Sequence, residues 1–300
     1  MKATERFDLD RRGLIALAGA GALAVLAGCG QGAGKAAPGS VGSAPAPVDL
    51  TGTKLTFVGD DAFAPYRYIE TGKDGKTRVT GLDIAIADEM AKRLGFEYSF
   101  EAQGFAATLA SVQAGDTGFT MAMSSNEERE KTYDFTRGYY EPRVGVLTKG
   151  GDPITGAKGL AGKKVACTTG TVQNKFVVAA APEAEVHTYD GGDQCLQEVL
   201  AGRLDAYVCD GAEGQSMRDA NEGLVLGLLD RSETEGYVGV YRIMAKKGAS
   251  FVGAFDGAVR DMLADGTIDT CIKKFVGEDF MWGDDTSAAG SPTKGVKTVG

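Results

Sequence analysis

Strand-like and helix-like segments alternate along the chain from about residue 50 to residue 282, and this alternation constrains the fold more strongly than any other sequence feature. The run Leu55–Val58 has the apolar and β-branched composition of a short strand. A stripe of apolar residues then predicts a helix over 82–94, which Gly95 ends. The repeated order of strand, helix and strand predicts an α/β fold whose sheets are largely parallel.

The same order of elements begins a second time in the middle of the chain. Val144–Thr148 has the pattern of an extended segment, and Lys164–Cys167 and Ala206–Cys209 have the pattern of strands that run into polar residues. Two α/β units in series predict two lobes. Ligands in such folds bind at the carboxyl ends of the strands, so the residues that follow these strands are candidate ligand contacts.

The first 28 residues have the pattern of a bacterial lipoprotein signal peptide. An arginine pair precedes an uncharged apolar run over 13–26, which ends in Leu26-Ala27-Gly28-Cys29. The last four residues resemble a lipobox, which implies that residues 1–28 are removed and that Cys29 is acylated. The alternative is an ordinary secretory signal with a fortuitous cysteine. The arginine pair leaves both general secretion and twin-arginine export open.

Polar segments flank the folded part on both sides. Residues 29–50 are mostly Gly, Ala, Ser and Pro, which predicts a flexible tether between a lipid anchor and the folded body. Residues 284–300 are similarly polar and are predicted to form a disordered tail. The net charge of −9 argues against a nucleic-acid partner, because phosphate binding requires a basic surface.

A set of short motifs occurs in a fixed order along the folded part. They are Asp60-Asp61-Ala62-Phe63-Ala64-Pro65-Tyr66, Gly81-Leu82-Asp83-Ile84, Asn126-Glu127-Glu128-Arg129, Asp134-Phe135-Thr136, Leu160-Ala161-Gly162-Lys163-Lys164-Val165, Gly170-Thr171, and Gly202-Arg203-Leu204-Asp205-Ala206 with Asp210. Together they resemble family 3 of the solute-binding proteins, the polar amino-acid group that includes glutamine- and lysine/arginine/ornithine-binding proteins. The resemblance covers about Leu55–Phe280, which is nearly all of the chain after the tether.

The resemblance implies a two-lobed, type II periplasmic-binding-protein-like fold with the ligand enclosed between the lobes. Each lobe would contain a mostly parallel sheet flanked by helices. Lobe one is expected to comprise residues 51–140 and 240–283, and lobe two residues 141–239. Two crossing strands, near Tyr139–Pro142 and Tyr237–Tyr241, would form the hinge.

The function that the resemblance implies is that of the substrate-binding component of an ABC importer. The chain would act as a monomer, bind a free amino acid with a polar or cationic side chain, and deliver it to the membrane permease and its ATPase. No cofactor, metal or catalytic residue is expected. Two alternatives stay open: a ligand sensor, and an enzyme on the same scaffold, since some relatives dehydrate small cyclic acids. Such an enzyme would need an acid–base group with a tuned pKa in the cleft.

Arg129 and Asp210 are the candidates for holding the two charged ends of an amino acid. The planar guanidinium of Arg129 suits a bidentate grip on a carboxylate, and the family holds the ligand's α-carboxylate at this position. Asp210 ends a strand and would receive the α-ammonium group. The alternatives are a surface arginine paired with a neighbouring glutamate, and an aspartate that only caps the helix after it.

The side chain of the ligand would lie among three further residues that the resemblance indicates. Phe63 and Phe105 would sandwich it, although aromatic residues at such positions are more often part of a core. Asp60 matches an acidic position that contacts polar or cationic side chains.

Hydrogen bonds to the ligand are expected from four more residues. Ser124 would use its hydroxyl group and Met121 its carbonyl oxygen, as the matching positions of the family do. Thr168 and Thr171 lie in a polar loop before a predicted helix, whose first N–H groups could bind an anion. The alternative for Thr171 is that it only caps this helix.

Four cysteines lie in the folded part, Cys167, Cys195, Cys209 and Cys271, and none of them forms the close pairs typical of a metal site. Four cysteines in an exported protein allow three pairings into two disulfides. The resemblance places the strands that end at Cys167 and Cys209 side by side, which favours a bridge between these two. His187 is the only histidine, and its position on a predicted strand indicates a structural role.

Overall fold

The structure is a computed structural model that describes residues 48–280. The predicted signal peptide, Cys29, nearly all of the predicted tether and the predicted tail lie outside the described residues. The described part contains two five-stranded sheets and one three-stranded sheet. None of the helices in this part is both long and apolar enough to cross a membrane.

The helices and strands fall into three runs along the chain. The first run is β1 (Lys54–Gly59), β2 (Ala62–Phe63), β3 (Arg67–Thr71), β4 (Thr77–Thr80), α1 (Leu82–Leu94), β5 (Glu97–Ala102), α2 (Phe105–Ala114), β6 (Gly118–Ser124), α3 (Glu127–Thr132) and β7 (Tyr133–Phe135). The second run is β8 (Val144–Lys149), β9 (Lys164–Thr168), α4 (Val172–Ala180), β10 (Glu185–Tyr189), α5 (Gly192–Leu200), β11 (Ala206–Asp210), α6 (Gly211–Ala220), β12 (Leu224–Leu228) and α7 (Arg231–Thr234). The third run is β13 (Tyr241–Lys246), α8 (Val252–Ala264) and α9 (Thr267–Phe275). Two short 3-10 helices are Ala157–Leu160 and Glu278–Phe280.

The predicted alternation of strands and helices is confirmed. The helix predicted over 82–94 is α1, with the same bounds. It ends because Gly95 adopts a left-handed φ of 75°, which glycine tolerates without strain, and its N–H donates to the carbonyl of Ala91. The predicted strands at Leu55–Val58 and Val144–Thr148 lie within β1 and β8.

In each five-stranded sheet, four strands run in one direction and one runs against them. The first sheet has the order β5-β1-β6-β13-β7, and β13 is the reversed strand. The second sheet has the order β10-β9-β11-β8-β12, and β8 is the reversed strand. The sheets are therefore mixed, and the fold is the two-lobed α/β arrangement that the sequence predicts.

The reversed strand of each sheet is the one that arrives from the other lobe. The chain crosses to the second lobe between β7 and β8, and it returns between α7 and β13. The two crossings contact each other, because Tyr140 and Tyr241 form an antiparallel bridge. Strand β13 begins at Tyr241, which pairs with Ser124, the last residue of β6. Strand β8 begins at Val144, which pairs with Asp210, the last residue of β11. The carboxyl ends of the parallel strands thus adjoin the crossings in both lobes.

Both lobes are built around apolar cores. In lobe one, Phe57 and Phe119 stack with ring centroids 4.9 Å apart, and Phe255 of α8 packs edge-on against Phe119 at 5.3 Å. In lobe two, α4 and α5 pack apolar side chains on opposite faces of the sheet, with Phe176 in one cluster and Leu196 in the other. Because both faces of this sheet are covered, the central strands β9 and β11 are mostly buried and hold the loops at their ends in fixed positions.

The predicted disulfide between Cys167 and Cys209 is wrong. The two residues lie on the adjacent strands β9 and β11, but successive side chains of a strand point to opposite faces of the sheet. Cys167 lies in the cluster beside α4, whereas Cys209 lies in the cluster beside α5, so the sheet separates their side chains. All four cysteines of the described part are free. His187 lies on β10, where its ring is 2.9 Å from the carboxylate of Glu185.

Candidate ligand-binding site

A cavity of about 80 Å³ lies between the two lobes at the carboxyl ends of their strands. Its lining includes eight of the nine predicted ligand contacts, namely Asp60, Phe63, Phe105, Ser124, Arg129, Thr168, Thr171 and Asp210. The first five belong to the chain of lobe one and the last three to lobe two. The described residues contain no group of side chains suited to hold a metal ion. The site is therefore a concave pocket with polar groups from both lobes, as small-molecule sites usually are.

Met121 is the predicted contact that does not line the cavity. Its side chain is fully buried in the core of lobe one, on the same face of β6 as Phe119. Its carbonyl oxygen accepts a hydrogen bond from Nη1 of Arg67 at 3.4 Å. The next residue, Ala122, has a φ of 57° and lines the cavity.

Arg129 reaches the cavity from the short helix α3. Asn126 caps this helix, since its side-chain oxygen accepts the N–H of Arg129 at 2.9 Å. Nη1 of Arg129 donates to the carbonyl of Ser124 at 2.8 Å, Nη2 donates to the carbonyl of Gly170 in lobe two at 3.4 Å, and the guanidinium carbon lies 5.6 Å from the centroid of the Phe105 ring. Removal from water lowers the pKa of Arg129.

The charge of Arg129 has no ion-pair partner among residues 48–280. The adjacent Glu128 pairs instead with Lys175 of α4, at 2.7 Å. The alternative of a surface arginine held by a neighbouring glutamate therefore does not describe this side chain. An unpaired, half-buried guanidinium at a cavity wall can bind an anionic group of a ligand.

Asp210 both caps helix α6 and lines the cavity. Its Oδ1 atom accepts the N–H groups of Ala212 at 2.9 Å and Glu213 at 3.1 Å, and also the hydroxyl of Tyr66 at 2.9 Å. Its Oδ2 atom accepts the hydroxyl of Tyr241 at 3.0 Å. Burial raises the pKa of Asp210 to about 6, against the lowering effect of these hydrogen bonds. Since Tyr66 belongs to lobe one, Asp210 also links the lobes.

Glu213 is a cavity residue that sequence reasoning missed. It is only 5% exposed, and its Oε1 atom accepts the hydroxyl of Tyr207 at 3.2 Å. Burial first, together with the nearby charges of Asp210 and Asp60, raises its pKa to about 8. The spacing Asp-x-x-Glu at a helix start is typical of a capping box, in which the glutamate would turn back to the helix terminus. Here the side chain faces the cavity instead.

The two predicted aromatic contacts form separate parts of the cavity wall. Phe63 stacks on Tyr66, with ring centroids 4.7 Å apart, and the guanidinium carbon of Arg67 lies 5.2 Å from the centroid of its ring. Phe105 begins α2 and packs beside Arg129. Both rings are partly exposed, so each has a face available for an apolar or cationic side chain of a ligand.

The hydroxyl groups of three predicted contacts are already engaged within the protein. Ser124 donates to the carbonyl of Gly239 on the returning crossing at 2.8 Å. Thr171 caps α4, accepting from the N–H of Asn174 at 3.2 Å and donating to the carbonyl of Thr168 at 2.8 Å. The Thr168 hydroxyl lies 3.4 Å from that of Tyr207. These hydroxyl groups fix the cavity wall, and the first turn of α4 leaves backbone N–H groups without partners inside the helix.

Arg67 also lines the cavity, but its charge is used within lobe one. It forms a buried ion pair with Asp83, which also accepts the hydroxyl of Tyr139 at 2.7 Å. Its Nε atom donates to the carbonyl of Asp60 at 3.1 Å. Burial raises the pKa of Asp83, although the Arg67 charge and both hydrogen bonds act in the opposite direction. This network holds the loop that carries Asp60 and Phe63 against the sheet.

The cavity lining thus carries charged groups of both signs that have no ion-pair partner among the described residues. Its lining contains Asp60, Asp210 and Glu213, and none of these carboxylates forms an ion pair with a described residue. The lining also contains the unpaired guanidinium of Arg129. Charged groups removed from water are costly unless they are paired, so the cavity is suited to a ligand that carries both signs of charge.

The chain matches the protein family described as "Bacterial extracellular solute-binding proteins, family 3" over residues 55–278. The matched segment begins in β1 and ends in the last 3-10 helix, so it includes both lobes and every residue that lines the cavity. The family comprises solute-binding proteins, and this description fits a two-lobed protein with a polar cavity between its lobes.

Two individual relatives illustrate the similarity in sequence. The chain is 28% identical to the L-cystine-binding protein TcyJ of Escherichia coli (strain K12) over 224 residues, which cover 73% of this chain and 81% of that protein. It is 30% identical to the ABC transporter glutamine-binding protein GlnH of Bacillus subtilis (strain 168) over 207 residues, which cover 67% of this chain and 74% of that protein.

Solved structures show the same fold. An ancestral arginine-binding protein bound to arginine superposes with a TM-score of 0.65 at 28% identity, and the match covers 76% of this chain and 100% of that chain. The substrate-binding protein of an amino acid ABC transporter superposes with a TM-score of 0.68 at 21% identity, covering 74% of this chain and 98% of that chain. At the latter identity the similarity concerns the fold alone.

Proposed function

Because the chain belongs to family 3 of the bacterial extracellular solute-binding proteins, we propose that it binds a free amino acid between its two lobes and delivers it to an ABC importer. The observation that carries this proposal is the charge of the cavity. An unpaired guanidinium lies on lobe one and unpaired carboxylates lie on both lobes. A free amino acid is zwitterionic at neutral pH and can pair with both.

Arg129 would bind the α-carboxylate of the ligand. A guanidinium has five N–H donors in one plane, and the structure uses one of them for Ser124 and one, over a longer distance, for Gly170. The remaining donors can form charge-assisted hydrogen bonds with a carboxylate. The first turn of α4 lies on the other side of the same space and offers further N–H groups to that anion.

Asp210 would bind the α-ammonium group through its Oδ2 atom. The Oδ1 atom already accepts three hydrogen bonds, whereas Oδ2 accepts one, from Tyr241. An ionised carboxylate has about four acceptor sites, and Oδ2 is the atom with room for a further donor. Arg129 belongs to lobe one and Asp210 to lobe two, so a single amino acid would join the lobes.

The relatives named above support binding of the ligand through its α-carboxylate and α-ammonium groups. Their names refer to cystine, glutamine and arginine, which differ in the side chain but share an α-carboxylate and an α-ammonium group. We propose that the ligand is bound and released without chemical change. Incubation followed by mass spectrometry should return the bound amino acid intact, and accumulation of a product would favour the enzymatic alternative.

Closure of the lobes around the ligand predicts a change in the overall dimensions of the protein. Small-angle X-ray scattering should give a smaller radius of gyration after a mixture of the common amino acids is added, because a ligand that bridges the lobes favours the closed form. The Arg129→Ala variant is the control and should show no such decrease. Identical profiles of the wild-type protein with and without saturating amino acids would contradict closure.

The N-terminal residues lead to a separate proposal, that Cys29 carries a lipid anchor. The motif Leu26-Ala27-Gly28-Cys29 supports it. Cys29→Ala should release the protein from the membrane fraction, measured by fractionation and immunoblotting. Cys271→Ala is the matched control, since Cys271 lies in the folded part, and this variant should remain with the membrane. An intact mass showing an unmodified N-terminal residue on the wild-type protein would exclude the anchor.

A further inference from the structure

Glu213 has no part in the binding of the α-groups, yet it is one of the most deeply placed residues of the cavity wall. It is 5% exposed and lies on the first turn of α6. Oε1 accepts the hydroxyl of Tyr207, but Oε2 accepts no hydrogen bond from any described residue. Burial makes the charged form of this side chain costly, so an ionised Glu213 needs a cationic partner, and no described residue supplies one.

Asp60 approaches the same region of the cavity from the other lobe. Gly191 and Gly192 lie between the two acids at the start of α5. A β-carbon at Gly192 would clash with Glu213 and Tyr207, and one at Gly191 would lie 3.8 Å from Oδ2 of Asp60. The Asp60 charge also contributes to the raised pKa of Glu213. Two carboxylates from opposite lobes therefore flank one pair of glycines, where a side chain at Gly192 would displace Glu213.

The family resemblance already assigns Asp60 to the ligand's side chain; we propose that Glu213 adds a second carboxylate there, so that the two form a cation subsite and make a cationic amino acid, such as arginine, lysine or ornithine, the preferred ligand. This inference rests on the proposed function, because it assigns Asp210 to the α-ammonium group and so leaves Asp60 and Glu213 for the side chain. A neutral side chain supplies no counter-ion, so Glu213 would stay protonated beside the Asp60 charge, whereas a cationic side chain can pair with the ionised carboxylate.

The subsite has a consequence for closure. Asp60 is held on lobe one, where its carbonyl accepts from Arg67 at 3.1 Å, and Glu213 is held on lobe two beside Tyr207. Only the closed form brings both carboxylates to one side chain. A cationic side chain therefore favours closure in addition to the α-groups, whereas a neutral one lacks this contribution.

The raised pKa of Glu213 provides a second measurement of its role, the dependence of stability on pH. The titratable groups that face it are Tyr207 and Cys209 on β11, Cys195 on α5, Tyr241 on β13, Asp210 and Asp60, and none of them is a cation. Burial first, and then the charges of Asp210 and Asp60, raises its pKa from an ordinary value of 4.5 to about 8. The stability contributed by protonated Glu213 is therefore fully present below about pH 4.5 and is lost as pH rises to about 8.

The test is the variant Glu213→Gln, which keeps the size of the side chain and removes its charge. Calorimetry should show that arginine binds about ten- to a hundredfold more weakly than to the wild-type protein, as expected for the loss of one charged hydrogen-bonding partner. The affinity for glutamine should not decrease. In the absence of ligand, the melting temperature should rise at pH 8 and hardly change near pH 4.5. Glu222→Gln removes an exposed charge of the same sign and should have none of these effects.

The outcomes separate this inference from the proposed function. Unchanged arginine binding by folded Glu213→Gln would exclude the subsite, as would a wild-type protein that binds neutral amino acids and not cationic ones. In both cases the proposed function would stand. A wild-type protein that binds no amino acid at all would overturn both. If Glu213→Gln destabilises the ligand-free protein at pH 8, the carboxylate has a structural role and the subsite is wrong.

Discussion

Replacement of Asp83 by alanine is expected to lower the free energy of unfolding by about 3–5 kcal/mol, the usual effect of removing one partner of a buried ion pair. Asp83 is fully buried, and the Arg67 side chain that pairs with it is only 7% exposed. Without the carboxylate, the guanidinium would keep only two hydrogen-bond acceptors, the carbonyls of Asp60 and Met121, at 3.1 and 3.4 Å. The hydroxyl of Tyr139 would also lose its acceptor.

Thermal denaturation of the ligand-free protein measures this effect. For a domain of this size, the expected loss corresponds to a decrease in melting temperature of roughly 6–20 °C. The exposed pair of Lys246 and Asp116 is the matched control, and Asp116→Ala should hardly change the melting temperature. A double replacement, Arg67→Met with Asp83→Leu, should recover part of the loss because it removes both charges. A melting temperature of Asp83→Ala equal to that of the wild-type protein would contradict the structural role of this pair.

Most of the fold could be predicted where apolar residues recur with a regular period. Helix α1 and strands β1 and β8 have such patterns, and the predicted segments agree with the observed ones. Some of the segments that were not predicted have few buried residues or none. Strands β3 and β4 are largely exposed and polar, and α3 has no buried residue. These elements form because neighbouring strands and a cap satisfy their backbone groups, and their side chains carry no periodic signal.

Register accounts for the wrong disulfide prediction. Cys167 and Cys209 lie on neighbouring strands, as the family resemblance implies, but Ala206 pairs with Val165. Continuing this register places Cys209 opposite Thr168, one residue beyond Cys167, and a difference of one residue turns a side chain to the other face of the sheet. The sequence alone does not give the register of two strands that are about forty residues apart.

The candidate site could be predicted in part because its motifs resemble those of a known family. Asp60, Arg129 and Asp210 belong to such motifs, and the structure brings them to one cavity. The residues that were missed act through tertiary contacts. Tyr66 is 144 positions from Asp210, whose carboxylate it contacts, and a local sequence pattern cannot report such a pair. Glu213 was missed because an acid in the first turn of a helix is common at helix starts.

Arg129→Ala is expected to lower the affinity for every accepted amino acid by about two to three and a half orders of magnitude. Truncating one partner of a buried charge pair costs about 3–5 kcal/mol, and about 1.4 kcal/mol corresponds to a tenfold change. The loss should be independent of the ligand's side chain, since the α-carboxylate is common to all amino acids. The affinity of Arg129→Lys should lie between those of the wild-type protein and Arg129→Ala, because lysine keeps the charge but cannot bind a carboxylate bidentately.

The most direct test of the zwitterion-binding site is calorimetry of wild-type protein and Arg129→Ala with the common amino acids. The wild-type protein should bind at least one of them saturably with one ligand per chain, and the variant should give almost no heat while its circular dichroism stays that of a folded protein. Arg260→Ala, in which an exposed arginine of α8 is removed, should bind like the wild type. Binding by folded Arg129→Ala within a few-fold of the wild type would contradict the assignment of Arg129 to the α-carboxylate.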